Sequence, residues 1–171
     1  MLLNYKQATE KDAELVALLA TKIWKNYYSS IISMEQIEYM LEKMYSIKSI
    51  QQQMKKGQQY TIVYDSNQAA IGYIAISTND NQNYFLHKFY VDTNEHRKGV
   101  GSTLFNHLLK KDLKNAKTIE LTVNRQNFKA INFYFKNGFT IKSVADFDIG
   151  NGYFMNDFIM IKSNTSVSIT K

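Results

Sequence analysis

The clearest signal for chemistry in the sequence is a glycine-containing stretch, HRKGVGSTLF from His96 to Phe105. Gly99 and Gly101 frame a single residue, two basic residues precede them, and apolar residues at helical spacing follow. Glycine lets main-chain N–H groups face a ligand, and a helix N-terminus adds partial positive charge, so the stretch predicts a phosphate-binding loop. An ordinary strand-to-helix turn with solvated charges explains the same residues, and the stretch alone does not separate these two interpretations.

The distribution of charge favours an anionic ligand near this loop. The formal net charge of the chain is +6. Residues 86–136 contain ten basic and four acidic residues, a difference that equals the whole excess. A solvated helix face explains Lys110, Lys111 and Lys114 equally well.

Composition excludes several other kinds of site. The 171-residue chain has no cysteine, which rules out disulfides, thiolate nucleophiles and cysteine-based metal sites. His87, His96 and His107 are not grouped with carboxylates, so we expect no metal. The N-terminal segment lacks a secretion-signal pattern, and no apolar run reaches the roughly 18 residues of a membrane span. We therefore expect a cytoplasmic protein that does not bind membranes.

Strands and helices alternate along the chain in the order β-α-α-β-β-β-α-β-α-β-β, without proline or a linker. The strand that leads into the loop is predicted over Asn83–Val91, and the helix that leaves it begins at Ser102. Residues 1–162 form one predicted domain, followed by a polar tail over residues 163–171. The pattern also predicts helix caps at Thr9 and Ser33, a short helix over residues 49–56, antiparallel hairpins at SNQ and GNG, and a helix closed by Gly138.

Three stretches resemble the GNAT superfamily of N-acetyltransferases. FYVDTNEHRKGVGSTLF is similar to its acetyl-CoA pyrophosphate loop, LTVNRQNFKAINFYFKNGF to the strand and helix that follow, and IGNGYFMNDFIMIK to the closing hairpin of bacterial members acting on small amines. The resemblance covers nearly the whole chain and implies an α/β (α+β) protein of the GNAT acyl-CoA N-acyltransferase fold, with a central mixed, mostly antiparallel sheet flanked by helices. One departure is His96, because the family usually has Arg or Gln there.

The resemblance implies acetyl-CoA as co-substrate. The loop would bind pyrophosphate mainly through backbone N–H groups, and the main chain of Phe89–Val91 would pair with the pantetheine arm like an added strand. Asn127 would hydrogen-bond the pantetheine amides, or serve only as a helix N-cap. The expected cofactor-binding residues are Phe89, Tyr90, Val91, His96, Arg97, Lys98, Gly99, Val100, Gly101, Ser102, Asn127 and Tyr134.

The resemblance also implies that Tyr134 is catalytic. When an amine attacks the thioester, the CoA thiolate leaves, and a phenol near the sulfur can donate a proton or a hydrogen bond to it. A place in an aromatic core stripe with Phe133 and Phe139 is the structural alternative. The amine must also lose a proton, and His87 is the expected general base because histidine titrates near neutral pH. A solvent-facing His87 without a catalytic role is equally open.

The expected function is direct transfer of acetyl from acetyl-CoA to a primary amine of a polyamine-like small molecule or of a protein N-terminus. A covalent acetyl-enzyme lacks an obvious nucleophile, since the chain has no cysteine and shows no Ser/His/Asp motif. The expected partners are therefore acetyl-CoA and an amine, and a homodimer is compatible with them. Acidic residues that could attract a cationic amine, but that also fit an ordinary surface, are Asp146, Asp148, Asp157, Glu35, Glu38 and Glu42.

Three other functions fit less well. A GNAT-like module that binds CoA without catalysis is disfavoured by the presence of Tyr134. A dinucleotide-binding unit is disfavoured because Leu104 stands where the third glycine belongs and Glu120 lies within a predicted strand. A pI of 9.3 with 10 Phe and 12 Tyr suggests nucleic-acid binding, but no recognisable DNA or RNA motif accompanies them, so we expect no nucleic-acid partner.

Overall fold

The described residues contain a seven-stranded sheet. The computed structural model describes residues 2–96 and 98–164. In these residues the strand order is β1-β2-β3-β4-β5-β7-β6; β4 and β5 are parallel, whereas β1–β2, β2–β3, β5–β7 and β6–β7 are antiparallel. The strands are β1 (Asn4–Gln7), β2 (Gln59–Tyr64), β3 (Ala70–Thr78), β4 (Asn83–Val91), β5 (Thr118–Asn124), β6 (Thr140–Gly150) and β7 (Tyr153–Ser163). The predicted mixed, mostly antiparallel sheet is confirmed.

Five α-helices accompany the sheet in the described residues, and α1 packs against α2 and α3. None of them combines the length and apolar character that a membrane-spanning segment requires. The helices are α1 (Ala13–Tyr27), α2 (Met34–Tyr45), α3 (Ile47–Lys55), α4 (Val100–Lys111) and α5 (Phe128–Lys136). Short 3-10 turns occupy Glu10–Asp12, Tyr28–Ser30 and Thr93–Glu95.

Side-chain caps explain where α2 and α3 begin. The Ser33 hydroxyl accepts from Gln36 N–H at 3.2 Å, which confirms the predicted cap of α2. The third helix was predicted to begin at Ser49, but Ser46 is its N-cap and accepts from Ser49 N–H at 3.3 Å. Thr9 precedes a 3-10 turn, and α1 begins only at Ala13.

The chain divides into two compact units, and each is described by itself below. The first unit is Met1–Ser77 with His87–Lys114, and the second is Thr78–Leu86 with Asn115–Lys171. The core of the first unit includes Ile37, Ile50, Ile62, Leu104 and Phe105, all fully buried. That of the second includes Ile119, Leu121, Phe139 and Met160.

The predicted polar tail begins inside the second unit. Ser163 ends β7, and the Asn164 amide donates to the Ala116 carbonyl oxygen at 3.1 Å. Residues 165–171 of that predicted tail lie outside the described residues.

Candidate active site

Buried hydrogen bonds fix the start of the glycine loop in the first unit. Asp92 follows β4 directly, and its N–H donates to the Ile71 carbonyl oxygen at 2.7 Å. The Asp92 carboxylate is buried, accepts from Asn94 N–H at 3.0 Å and forms an ion pair with Lys22. Burial opposes ionisation of this carboxyl, but these hydrogen bonds outweigh it and hold its pKa below the ordinary value. Asp92 is therefore an anchor for the loop.

Gly99 determines how the loop enters helix α4. Its φ of 80° is in the left-handed region that favours glycine, and its carbonyl accepts from Thr103 N–H at 3.0 Å. The helix therefore begins at Val100, two residues before the predicted start at Ser102. Gly101 and Ser102 lie in its first turn and not in the loop. The N–H groups of Val100, Gly101 and Ser102 have no acceptor within the helix by geometry, which gives the anion-binding arrangement that the sequence predicted.

The polar side chains of the loop make local contacts. His96 Nε2 lies 3.1 Å from the Val91 carbonyl oxygen, and because a carbonyl only accepts, this nitrogen carries the proton. Lys98 Nζ forms an ion pair with Glu95 at 3.1 Å. Arg97, the other predicted phosphate-facing cation, lies outside the described residues. Backbone groups are thus better prepared than these side chains to receive an anion.

His87 and Phe89 share one face of β4, because they lie two residues apart on the strand. His87 Nε2 lies 2.8 Å from the Ser77 hydroxyl, and the Phe89 ring meets Phe105 of α4 edge-on at 5.8 Å between centroids. Burial, with a smaller effect of Lys88, lowers the pKa of His87 to about 4. The expectation that His87 titrates near neutral pH is therefore wrong. The imidazole is neutral at pH 7, but at that pKa it is a weak proton acceptor.

Glycine also allows β3 to approach the end of β4, where the sequence predicts cofactor contacts. A Cβ at Gly72 would clash with the Tyr90 carbonyl oxygen and lie 3.2 Å from Val91 Cα. The sequence analysis missed Gly72, although an isolated glycine inside a strand is a recognised sign of close backbone approach. Gly72 therefore helps to fix the main chain of Tyr90 and Val91.

The second unit contains Asn127 and Tyr134. Asn127 Oδ1 accepts from Ala130 N–H at 3.1 Å, so its predicted role as the N-cap of α5 is confirmed. Tyr134 is buried, and its ring meets Phe133 and Phe139 edge-on, with centroids 5.6 and 5.4 Å apart. Burial raises the pKa of the Tyr134 phenol. The hydroxyl is thus fully protonated at neutral pH, as a donor must be.

Asp157 is not an ordinary surface acid, which was one of the two interpretations that the sequence left open. It lies on β7 opposite Asn124 and is only 5% exposed. Burial raises the pKa of its carboxyl to about 6, against the smaller lowering effects of a hydrogen bond with Thr122 and the charge of Arg125. The Arg125 guanidinium instead forms its ion pair with Asp146 on β6. A buried carboxyl that titrates near neutrality can hold a cation or accept a proton.

Comparison with known proteins identifies the family. A model described as an acetyltransferase (GNAT) domain matches residues 28–148. The chain belongs to the GNAT acetyltransferase family. The resemblance inferred from the three stretches is thereby confirmed, and the activity class is acetyltransferase.

Individual relatives match nearly the whole chain. The spermidine N(1)-acetyltransferase of Thermoplasma acidophilum is 26% identical over 173 residues, which cover 97% of this chain and 100% of the relative. The crystal structure of PaiA N-acetyltransferase from Thermoplasma acidophilum in complex with coenzyme A is 27% identical, with a TM-score of 0.76 over 95% of this chain and 99% of that one. The ribosomal-protein-S18-alanine N-acetyltransferase from Escherichia coli shares the fold, with a TM-score of 0.72 at 14% identity over 99% of each chain.

Proposed function

We propose that this GNAT protein transfers an acetyl group from acetyl-CoA directly to a primary amine, either of a polyamine-like small molecule or of a protein N-terminus. The observation that carries the proposal is the junction of β4 and α4, where a left-handed Gly99 opens the first turn of the helix. A Cβ at Gly99 would meet no atom of the described residues within 4 Å, apart from Gly99 itself and its two neighbours along the chain. The loop thus offers both unpaired N–H groups and space beside them, which suits a pyrophosphate.

The proposed cofactor contacts are mainly made by backbone. The N–H groups of Val100, Gly101 and Ser102 bind the pyrophosphate, and the main chain of Phe89–Val91 pairs with the pantetheine arm. The side chains of His96 and Lys98 are already engaged within the loop, so their contribution is secondary. The CoA complex of the PaiA relative supports binding of the same cofactor.

Tyr134 is proposed to assist departure of the CoA thiolate. An alkyl thiol has a pKa of about 8.5, whereas burial holds the pKa of this phenol above its ordinary value. Complete proton transfer from phenol to thiolate is therefore uphill. The favoured contribution is a hydrogen bond donated to the developing negative charge on sulfur.

The attacking amine must be neutral, and two groups are proposed for taking its proton. The pKa of His87, about 4, makes it a poor acceptor. Asp157, with a pKa of about 6, is closer to the working pH and is the stronger of the two. A carboxylate also attracts an alkylammonium before deprotonation, which fits a polyamine acceptor such as the one that names the Thermoplasma acidophilum relative.

The proposal is tested by following thiol release from acetyl-CoA with spermidine, a monoamine and a short peptide with a free N-terminus. Gly101→Glu places bulk and negative charge in the first turn of α4 and should abolish CoA binding in calorimetry. Asn106→Glu, at an exposed position on the same helix, adds the same charge and should bind CoA like the wild type. CoA bound without acetylation of any amine would favour the non-catalytic alternative. If Gly101→Glu binds CoA with undiminished affinity, the loop does not form part of the CoA-binding site.

A further inference from the structure

Lys88 is a buried cation held by two amides and two aromatic rings in the first unit. It is only 7% exposed, although it lies on a strand. Its Nζ donates to Gln53 Oε1 at 2.6 Å and to Gln58 Oε1 at 3.3 Å. The same nitrogen lies 5.4 Å from the Tyr45 ring centroid and 5.3 Å from that of Tyr60, within cation–π range.

These contacts join four parts of the first unit through one polar network. The Tyr60 hydroxyl donates to Gln53 Oε1 at 2.7 Å, and Gln53 Nε2 donates to the Met44 carbonyl oxygen at 2.7 Å. The amide of Gln53 thereby connects the last turn of α2, helix α3, strand β2 and, through Lys88, strand β4. A buried network with every partner satisfied specifies one arrangement of the elements that it joins.

The network continues from Tyr45 to the cofactor segment. The Tyr45 and Tyr90 hydroxyls are 3.1 Å apart, and Tyr45 is buried. Tyr90 is the middle residue of Phe89–Val91, the segment proposed to pair with pantetheine. Lys88 therefore contacts Tyr45, and Tyr45 contacts the cofactor strand two residues beyond Lys88.

We propose that Lys88 is a positioning residue, whose buried ammonium fixes Tyr45 and, through the Tyr45–Tyr90 hydroxyl contact, the main chain of Phe89–Val91 for acetyl-CoA. This inference rests on the proposed function, because it assigns a role within the same cofactor site. An ammonium is required because a neutral amine loses the cation–π contacts with Tyr45 and Tyr60 and donates a weaker hydrogen bond to Gln53.

The arrangement makes cofactor affinity dependent on pH. Burial lowers the pKa of Lys88 to about 7. The groups that face it are Gln53 from α3, Gln58 from the turn after α3, Tyr45 from α2 and Tyr60 from β2, with His87 next to it along β4. The glutamines do not titrate, burial raises the pKa values of both tyrosines, and the pKa of His87 is about 4. Among these groups only Lys88 changes charge between pH 6 and 8.5.

The test is the dissociation constant of CoA measured by calorimetry at pH 6 and pH 8.5. Lys88→Met should bind CoA about threefold to tenfold more weakly than the wild type at pH 6, the equivalent of one hydrogen bond, and equally well at pH 8.5. Lys55→Met removes an exposed lysine from α3 and should behave like the wild type at both pH values. Because CoA itself titrates identically in every sample, a difference in dissociation constant between Lys88→Met and the wild type reports the contribution of Lys88. In turnover, Lys88→Met should raise KM for acetyl-CoA while kcat stays within about twofold, the split expected for lost ground-state binding.

Tyr45→Phe tests the contact between the Tyr45 and Tyr90 hydroxyls, and it replaces Lys88→Met as the test if that variant does not fold. This variant keeps a ring over the ammonium but removes the hydroxyl that contacts Tyr90. It should therefore bind CoA as weakly as Lys88→Met at pH 6, and its affinity for CoA should not change between pH 6 and pH 8.5. Wild-type affinity and pH response in either folded variant would overturn the inference. A wild-type protein that fails to bind CoA at any pH would instead overturn the proposed function.

Discussion

Replacing Lys88 by methionine should stabilise the fold at pH 6, even though it weakens cofactor binding. The pKa of Lys88 lies at about 7 instead of 10.5. At ~1.36 kcal/mol per pKa unit, keeping the ammonium buried costs ~5 kcal/mol below pH 7. Methionine avoids this cost but loses the hydrogen bonds to Gln53 and Gln58 that the amine makes in either charge state, together up to ~3 kcal/mol. The expected net gain in the free energy of unfolding is therefore ~2 kcal/mol at pH 6.

The free energy of unfolding of the wild type should depend on pH, and the depressed pKa of Lys88 determines the direction of that change. The folded-state pKa of Lys88 is depressed, so the unfolded chain binds more protons between pH 7 and 10.5, and wild-type stability rises with pH in that window. Lys88→Met lacks this contribution. The stability difference between the two proteins should be constant below pH 7, shrink by ~1.4 kcal/mol per pH unit above it, and close before pH 9.

Urea unfolding at pH 6, 7, 8 and 9 measures this difference, with equal m-values as the condition for comparing midpoints. Lys55→Met, which removes an exposed ion pair with Glu10, should stay within about 0.5 kcal/mol of the wild type at every pH. A stability difference between Lys88→Met and the wild type that does not change from pH 6 to 9 would refute the buried-charge argument. A variant less stable than the wild type at pH 6 would show that the network contributes more than burial costs.

Three further predictions concern the proposed chemistry and strand β4. Tyr134→Phe should lower kcat by ~10² with little change in KM for acetyl-CoA, because losing one hydrogen-bond donor to a developing negative charge typically costs about 10² to 10³ in kcat; a wild-type rate would exclude this role. Asp157→Asn should raise the free energy of unfolding at pH 7 by up to ~3 kcal/mol, since the pKa of this carboxyl is about 6 instead of 3.8. That gain should vanish near pH 4, while thiol release with spermidine slows; unchanged turnover would remove Asp157 as a base. Gly72→Ala should push the Tyr90 carbonyl away and weaken CoA binding in calorimetry, and intact affinity would mean that β4 absorbs the methyl group elsewhere.

Local rules were sufficient wherever one residue type determines the backbone. The bounds of β4, the cap at Asn127 and the hairpin between β2 and β3 all match the prediction, because alternation, an Asx cap and a turn-prone sequence are short-range signals. The prediction assigned both Gly99 and Gly101 to the loop and therefore started α4 two residues too late. The left-handed φ of Gly99 starts the helix earlier and exposes the N–H groups of a different turn.

Burial could not be inferred from residue type alone. Lys88 was counted with the basic residues around the loop, but it has the same strand parity as the buried Leu86, so period-two alternation already placed it on an inward face. Asp157 gave no such signal, because its neighbours on β7 alternate poorly between buried and exposed. Its burial depends on pairing with both β5 and β6, which is a long-range property of the sheet.

Lys88 and Asp157, whose burial was not predicted, are both ionisable groups buried at a cost to stability. Lysine and aspartate are almost never fully buried unless they are paired, and neither Lys88 nor Asp157 forms an ion pair in the described residues. Hydrophobic replacement at such positions usually leaves a fold as stable or more stable, so packing does not explain their presence. In an acetyltransferase that must deprotonate an amine and hold a thioester, a carboxyl with a pKa near 6 and an amine with a pKa near 7 supply groups that change charge in the working range. Replacing Lys88 by methionine or Asp157 by asparagine is therefore predicted to raise the free energy of unfolding while it weakens CoA binding or slows turnover, because in each case the substitution removes a buried ionisable group.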